Sequence, residues 1–170
     1  MIFTGTYEHT IDSKHRLAIP SEIRGQIQRE AGVGEGDAVY LYVTLGDDQA
    51  LCLYTPGGFE QRARELDGSE LEPEELLAYE RLLFSLARRV EMDRQGRIRL
   101  PEALLKQAGL GSEVVLLGVK DHLEVHDRSA WQGYVQRMLR ERPQILMNPR
   151  RAMRRAKAPA MQDDRGGSAK

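Results

Sequence analysis

The sequence predicts an α+β fold built from two tandem copies of one unit. The first observation is a repeated motif, because the segment Asp12–Pro20 (DSKHRLAIP) returns 81 residues later as Asp93–Pro101 (DRQGRIRLP). The second is that later segments match in the same order, with residues 32–41 answering 109–117 and residues 50–55 answering 122–127. The third is that strand-like and helix-like periodicities alternate within each unit. Together these observations indicate a tandem duplication.

The repeated motif reads as a reversal between two strands. Residues 6–11 and 16–19 alternate apolar and polar side chains, which is typical of short strands. Asp12–His15 between them is rich in residues that bond nearby backbone groups, so a tight, hairpin-like turn is expected. Pro20 ends the second strand because proline cannot donate to a β-ladder.

Two helices and a second strand pair complete the first unit. Ser21 is expected to cap the first helix, and Gly32 to end it. The large aromatic side chains at matching repeat positions, Phe59 and Trp131, are expected in the core. The predicted elements are a helix over 21–31, a strand over 38–45, a turn over 46–48, a strand over 51–54 and a helix from 56 through 66.

A helix over residues 70–89 is predicted between the units, and its apolar face fits either the core or an interface between protomers. The second unit repeats the plan and ends in a helix over 129–140, whose expected buried side holds Trp131, Tyr134, Val135 and Met138. The predicted organisation is a first module over 1–66, a connector over 67–89, a second module over 90–142 and a basic, disordered tail over 143–170.

The charge is unevenly distributed along the 170 residues. The net charge is −1, yet residues 137–170 hold ten basic and three acidic side chains, which leaves −8 on residues 1–136. A basic tail fits either a solvated segment or contact with an anionic partner. The single Cys52 excludes an internal disulfide and fits the reducing cytoplasm, and neither a signal peptide nor a long apolar run is present.

No pattern in the sequence points to catalysis or to a metal. His122 and His126 lie on a predicted strand, where their positions are about 13 Å apart along the chain, too far for one ion. Neither a glycine-rich phosphate loop nor a nucleophile elbow occurs. No enzymatic activity and no cofactor are therefore expected.

The repeated Asp-x-x-x-Arg turn has two compatible interpretations. In the structural one, Asp12 pairs with Arg16, and Asp93 with Arg97, only to hold the reversal. In the functional one, the exposed tip presents basic side chains to a nucleic acid, since a guanidinium reads a guanine edge with two hydrogen bonds and lysine contacts phosphate.

The motifs resemble those of the MraZ family of bacterial transcriptional regulators. The resemblance rests on FTGTY at residues 3–7, on both copies of the Asp-x-x-x-Arg motif and on RLLFSLA at residues 81–87, and it covers about residues 1–142. It implies two AbrB-like (SpoVT-AbrB) swapped-hairpin β-barrel modules with flanking helices, related by a pseudo-two-fold axis within the chain. It also implies assembly of protomers into a closed ring.

The resemblance further implies binding to repeated, G-containing promoter boxes of the division and cell-wall gene cluster that includes the family's own gene, usually with repression. The basic turn is the contacting loop, and repeat symmetry extends it to the second copy. The implied DNA-binding residues are Lys14, His15, Arg16, Arg94, Arg97 and Arg99, with Asp12 and Asp93 bracing the turns.

The sequence thus predicts a cytoplasmic, nucleoid-associated regulator that binds double-stranded promoter DNA as a homo-oligomeric ring, with no membrane or small-molecule partner. The alternative is a ring-forming interaction or scaffold protein whose basic turns are only structural. The effect of Arg16→Gln on specific DNA binding distinguishes the two.

Overall fold

A computed structural model describes residues 2–34 and 37–143. The first unit of the duplication forms β1 (Thr6–Thr10), β2 (Arg16–Ala18), α1 (Ser21–Ala31), β3 (Val39–Leu45), a short 3-10 turn (Asp47–Gln49), β4 (Leu51–Tyr54) and α2 (Pro56–Leu66). The connector holds α3 (Pro73–Leu86). The second unit forms β5 (Arg88–Met92), β6 (Arg97–Arg99), α4 (Glu102–Ala108), β7 (Glu113–Val119), β8 (His122–Asp127) and α5 (Arg128–Glu141).

The eight strands of the described residues join in one antiparallel sheet, in the order β1-β7-β8-β4-β3-β5-β6-β2. The edge strands β1 and β2 are joined by the first Asp-x-x-x-Arg turn, where the Asp12 N–H donates to the Arg16 carbonyl over 3.0 Å. This contact nearly closes the sheet into a barrel. Strands β1–β4 of the first repeat correspond to β5–β8 of the second. Exchanging each strand with its counterpart leaves every strand with the same neighbours around the barrel, read in the opposite direction. The barrel therefore has the internal two-fold symmetry that the duplication predicts. The predicted α+β barrel class is confirmed.

Strand partners come mainly from the other repeat. β1 pairs with β7, β2 with β6, and β3 with β5 as well as with β4. The turn between β1 and β2 therefore reverses the chain as expected, but the two strands that it joins build their ladders elsewhere. The strands of the two repeats interleave in one sheet.

A single apolar core fills the barrel and supports the repeated turns. Leu17 of β2 and Ile98 of β6 are both 0% exposed and face each other in the ladder. Ile23 and Ile27 of α1 lie in the same cluster, so the first helix is fixed on the sheet by the residues that its periodicity predicted. The cluster takes eleven buried residues from the first repeat and nine from the second, so burial stabilises both turns together.

Several local expectations differ from the structure. Ser21 is the first residue of α1 rather than its cap, and Pro20 precedes it without a side-chain cap. The connector helix, predicted over 70–89, begins at Pro73 with Glu72 as its cap and ends at Leu86, because Arg88 begins β5; Leu83 is its only buried residue. Phe59 is half-buried, stacked on Tyr42 with ring centroids 4.6 Å apart, rather than fully enclosed in the core.

The chain divides into two compact units, one ending at Trp131 and the other beginning at Gln132. The whole sheet belongs to the first. No residue of α5 is buried, so the side predicted to be buried, which holds Trp131, Tyr134, Val135 and Met138, is only half-covered. The predicted tail over 143–170 lies, except for Pro143, outside the described residues. Within those residues, no helix is long and apolar enough to cross a membrane.

Candidate nucleic-acid interface

Strands β2 and β6 form a short antiparallel ribbon that brings the two repeated motifs together. Arg16 lies opposite Arg99, Leu17 opposite Ile98, and Ala18 opposite Arg97. Since successive side chains in a strand point to opposite faces, the buried Leu17–Ile98 pair directs the residues on either side of it outward. We call residues 12–18 and 93–99 the basic ribbon.

Three arginines share the outer face of this ribbon. Arg16 and Arg99 form a directly opposed pair, and Arg97 lies two residues further along, about 7 Å away at the rise of a β-strand. The Arg99 side chain is exposed and makes no hydrogen bond or ion pair with another described residue, although its charge is one of the causes that lower the pKa of Glu102. The basic ribbon as a whole carries five arginines and lysines against two aspartates, so its formal charge is +3 although residues 1–136 sum to −8.

Asp12 holds the first turn through both carboxylate oxygens. Oδ1 accepts hydrogen bonds from the backbone N–H groups of Lys14 and Arg16, each 2.9 Å long. Oδ2 accepts from the Nε of Arg16 at 2.7 Å. The backbone N–H of Arg16 is the main cause that lowers the pKa of Asp12, helped by the Arg16 side chain and the Lys14 N–H. The carboxylate therefore stays ionised at neutral pH and fixes the direction of the Arg16 guanidinium.

Asp93 makes the same contacts in the second turn. Its Oδ1 accepts from the N–H groups of Gln95 at 2.9 Å and Arg97 at 3.0 Å, and its Oδ2 accepts from the Arg97 Nε at 2.9 Å. Burial raises the pKa of Asp93, but the hydrogen bonds from Arg97 and Gln95 outweigh it and the pKa is lowered. Both repeats thus present one arginine that its own aspartate orients.

Each turn is also tied to the end of the opposite repeat's strand. The Leu100 N–H donates to the His15 carbonyl over 2.8 Å, and the Ile19 N–H donates to the Gly96 carbonyl over 2.9 Å. His15 and Gly96, the residues before the braced arginines, both have left-handed backbone, with φ of 59° and 76°. The two tips are therefore a rigid, coupled pair rather than independent loops.

The tips themselves differ in charge. Lys14 is exposed in the first turn, beside the half-buried His15. Arg94 and Gln95 are exposed in the second, where buried Gly96 replaces the histidine. All six residues predicted to bind DNA are thus brought to one ribbon, three of them on its outer face and three at its ends.

Arg24 is a basic residue near this surface that the sequence reasoning missed. It projects from α1 across Gly96, and its Nη1 donates to the Gln95 carbonyl over 3.3 Å. The absence of a side chain at Gly96 makes room for it. The sequence does show that Gly96 stands in the second repeat where His15 stands in the first. It does not show that α1 packs against the second turn, which is what places Arg24 beside Gly96.

Comparison with known proteins agrees with the duplicated architecture. The family described as "MraZ protein, putative antitoxin-like" matches residues 2–78 and again residues 83–149, so each match spans one repeat. The chain belongs to the MraZ family. The two matches together cover most of the sequence and include both Asp-x-x-x-Arg turns.

Relatives in this family are similar over most of their length. The MraZ protein of Roseiflexus castenholzii, named a transcriptional regulator, is 36% identical over 81% of this chain and 89% of its own. Those of Thermomicrobium roseum and Mycoplasmoides gallisepticum carry the same name, at 34% identity over 85% of this chain and 94% of theirs, and 37% over 78% and 87%. The shared name describes a regulator and not a class of enzyme.

Proposed function

We propose that this MraZ chain is a transcriptional regulator that binds promoter DNA sequence-specifically through the basic ribbon, without catalysis or a cofactor. The observation that carries the proposal is the outer face of the β2–β6 ribbon, where Arg16, Arg97 and Arg99 project together from a rigid base. The name shared by the relatives supports it.

The dimensions of the ribbon suit the major groove of DNA. That groove admits a two-stranded β-ribbon, and Arg97 is offset from the Arg16–Arg99 pair by about 7 Å, close to two base-pair steps. Asp12 holds the Arg16 guanidinium by Nε, so little side-chain entropy is lost when that arginine meets a base. Arg16 is therefore assigned to a guanine edge, and Lys14 and Arg94 at the ends to phosphates.

Ring assembly on repeated boxes would compensate for the acidic body. A local charge of +3 per chain gives weak binding, but linked weak contacts gain roughly 10²–10⁴ in affinity when the geometry allows them all. Four apolar side chains on and just before α3, Leu71, Leu77, Leu82 and Phe84, are between 41% and 62% exposed. We assign the contact between two copies of the chain to this segment.

The target that the family resemblance implies is the division and cell-wall gene cluster containing the protein's own gene, with repression as the outcome. Binding there would associate the protein with the nucleoid. The arrangement predicts that an array of correctly spaced boxes binds more tightly than a single box. Equal affinity for one box and for the array would contradict the contribution of the ring.

The decisive experiment compares wild type with Arg16→Gln by fluorescence anisotropy, using the DNA upstream of the chain's own gene. Salt is held constant, because phosphate contacts alone shift affinity by orders of magnitude. Loss of one bidentate base contact, worth about 1–3 kcal/mol, should weaken specific binding by roughly 5- to 150-fold and leave nonspecific binding nearly unchanged.

A matched control is Arg64→Gln, which removes the same charge from an exposed position on α2, where Arg64 lies 3.9 Å from Glu60. It should bind DNA as wild type does. Under both interpretations Arg16→Gln removes the brace to Asp12 and should lower the midpoint of thermal unfolding. The scaffold alternative differs in that any DNA affinity of the folded variant stays as in wild type.

A further inference from the structure

A second cluster of reactive side chains lies across the seam between β4 and β8, away from the basic ribbon along the sheet. Cys52 of β4 is directly opposite Glu124 of β8 in the antiparallel register. His122 lies two residues before Glu124 and therefore projects from the same face of β8. The cysteine comes from the first repeat, and the other two residues come from the second.

These three side chains converge on one point. One ligand atom from each, the Cys52 sulfur, a ring nitrogen of His122 and a carboxylate oxygen of Glu124, all lie within 4.8 Å of one another. The His122 Nε2 is 3.1 Å from the Glu124 Oε1. Neighbouring ligand atoms in a tetrahedral zinc site are about 3.5 Å apart, which follows from metal–ligand bonds of about 2.0–2.3 Å. The three ligand atoms in the structure therefore lie within about 1.3 Å of that spacing.

Two further residues orient the converging groups. Asp121 Oδ1 lies 2.9 Å from the Nδ1 of His122, which leaves Nε2 as the nitrogen that faces Glu124. His126 Nε2 lies 2.8 Å from the second oxygen of Glu124. A carboxylate behind a ligating histidine is the usual outer-shell partner in zinc sites, because it fixes the tautomer and the ring orientation.

The cluster is partly enclosed and opens into a cavity of about 380 Å³. Cys52 is 6% exposed, and the side chains of His122 and Glu124 are 16% and 25% exposed. Tyr54 stacks on the His122 ring with centroids 5.0 Å apart, and Arg62 and Tyr79 also line the cavity. The burial limits access of water to the three side chains, and the cavity leaves room for one exogenous ligand.

We propose that Cys52, His122 and Glu124 bind one divalent transition-metal ion of the zinc class. One sulfur, one nitrogen and one oxygen ligand select zinc over magnesium or calcium, which take oxygen ligands alone. Binding releases two protons to solvent, one from the Cys52 thiol and one from the His122 Nε2 that faces Glu124, and metal–ligand bonds take their place. A water or small anion in the cavity completes four-coordination. The ion links the two repeats across β4 and β8, so its binding stabilises the barrel against unfolding.

Cobalt and zinc titrations of the untagged full chain, freed of metal by a chelator, test this assignment. One equivalent of Co²⁺ should give a thiolate-to-cobalt charge-transfer band that Zn²⁺ abolishes by competition, and Zn²⁺ should raise the midpoint of thermal unfolding. Cys52→Ser should lose the band, and both it and Glu124→Gln should weaken zinc binding by more than about 100-fold, beyond the usual effect of an outer-shell change.

Asp121→Asn tests whether Asp121 orients the His122 ring without binding the metal itself. The variant should weaken zinc binding about 10- to 100-fold, while the charge-transfer band at saturating Co²⁺ stays. The matched control is His9→Gln, which removes a half-buried histidine from β1 and should bind zinc as wild type does. The assignment is overturned if wild type gives no charge-transfer band, or if the folded Cys52→Ser and Glu124→Gln variants bind Zn²⁺ as tightly as wild type.

Discussion

Replacing Gly96 with alanine should destabilise the barrel through the second basic turn. Gly96 is buried and has a φ of +76°, a conformation that costs an L-residue about 1–2 kcal/mol. An alanine recovers about 0.4–1 kcal/mol because it restricts the unfolded chain more than glycine does. Backbone conformation alone therefore lowers the free energy of unfolding by about 1 kcal/mol.

Packing adds to this cost. A methyl group at Gly96 would overlap the side chain of Arg24, which has to move away and give up its 3.3 Å hydrogen bond to the Gln95 carbonyl. The lost bond is worth about 0.5–1.5 kcal/mol. The total expected loss is about 2 kcal/mol, which lowers the midpoint of thermal unfolding by roughly 2–4 °C for each kcal/mol in a chain of this size.

Urea unfolding followed by far-UV circular dichroism measures the difference, at one protein concentration so that association is constant. Gly111→Ala is the control: its φ is not positive, and a methyl group there meets no atom within 4 Å. That variant should equal wild type or exceed it slightly in stability. If Gly96→Ala is as stable as Gly111→Ala, neither the left-handed conformation nor the Arg24 contact constrains this turn.

Two other predictions follow from the basic ribbon. Arg99 is exposed and unbraced, so Arg99→Gln should weaken binding to all DNA sequences alike and reduce the salt dependence by about one counterion, whereas a loss confined to one sequence would assign Arg99 to base readout. Asp12 and Asp93 have pKa values lowered by folding, so they stabilise the fold above their ordinary value of 3.8, and that stability is lost as the pH falls through the folded value. In acid titrations of stability, the double variant Asp12→Asn/Asp93→Asn should show a smaller decline than wild type between pH 5 and 3, and an equal decline would mean that other carboxylates govern the acid limit.

Local elements were predictable where one physical signal dominated. The strand over 51–54 and the helix over 21–31 match the structure residue by residue, because strong β formers define the first and a repeat of isoleucines ended by Gly32 defines the second. The helix predicted from 56 through 66 also matches, and Thr55 caps it by accepting a hydrogen bond from the Gly58 N–H. Ser21 shows the limit of such signals, since Pro20 already occupies the capping position.

Strand partners could not be predicted in the same way. Alternation shows which face of a strand is buried but not which strand lies beside it, so β1 and β2 suggested a simple hairpin although their ladders form with β7 and β6. The Cys52–Glu124 pair was hidden for the same reason. The spacing along β8 shows that His122 and His126 are too far apart to share one ion. It cannot show that Cys52, from β4, lies across the sheet beside His122 and Glu124.

Because β1 pairs with β7, its ladder cannot form until β7 has been synthesised. About 100 residues separate Thr10 from Glu113, and at the usual 5–20 residues per second the ribosome needs about 5–20 s to produce them. Throughout that interval β1 has no partner along its ladder, and its backbone groups are open to other chains. With both repeats in one chain, the strands of the first repeat find those of the second by closing a tethered loop and not by an encounter between two molecules. The same arrangement leaves β1 of the nascent chain unpaired until the strands of the second repeat have been made.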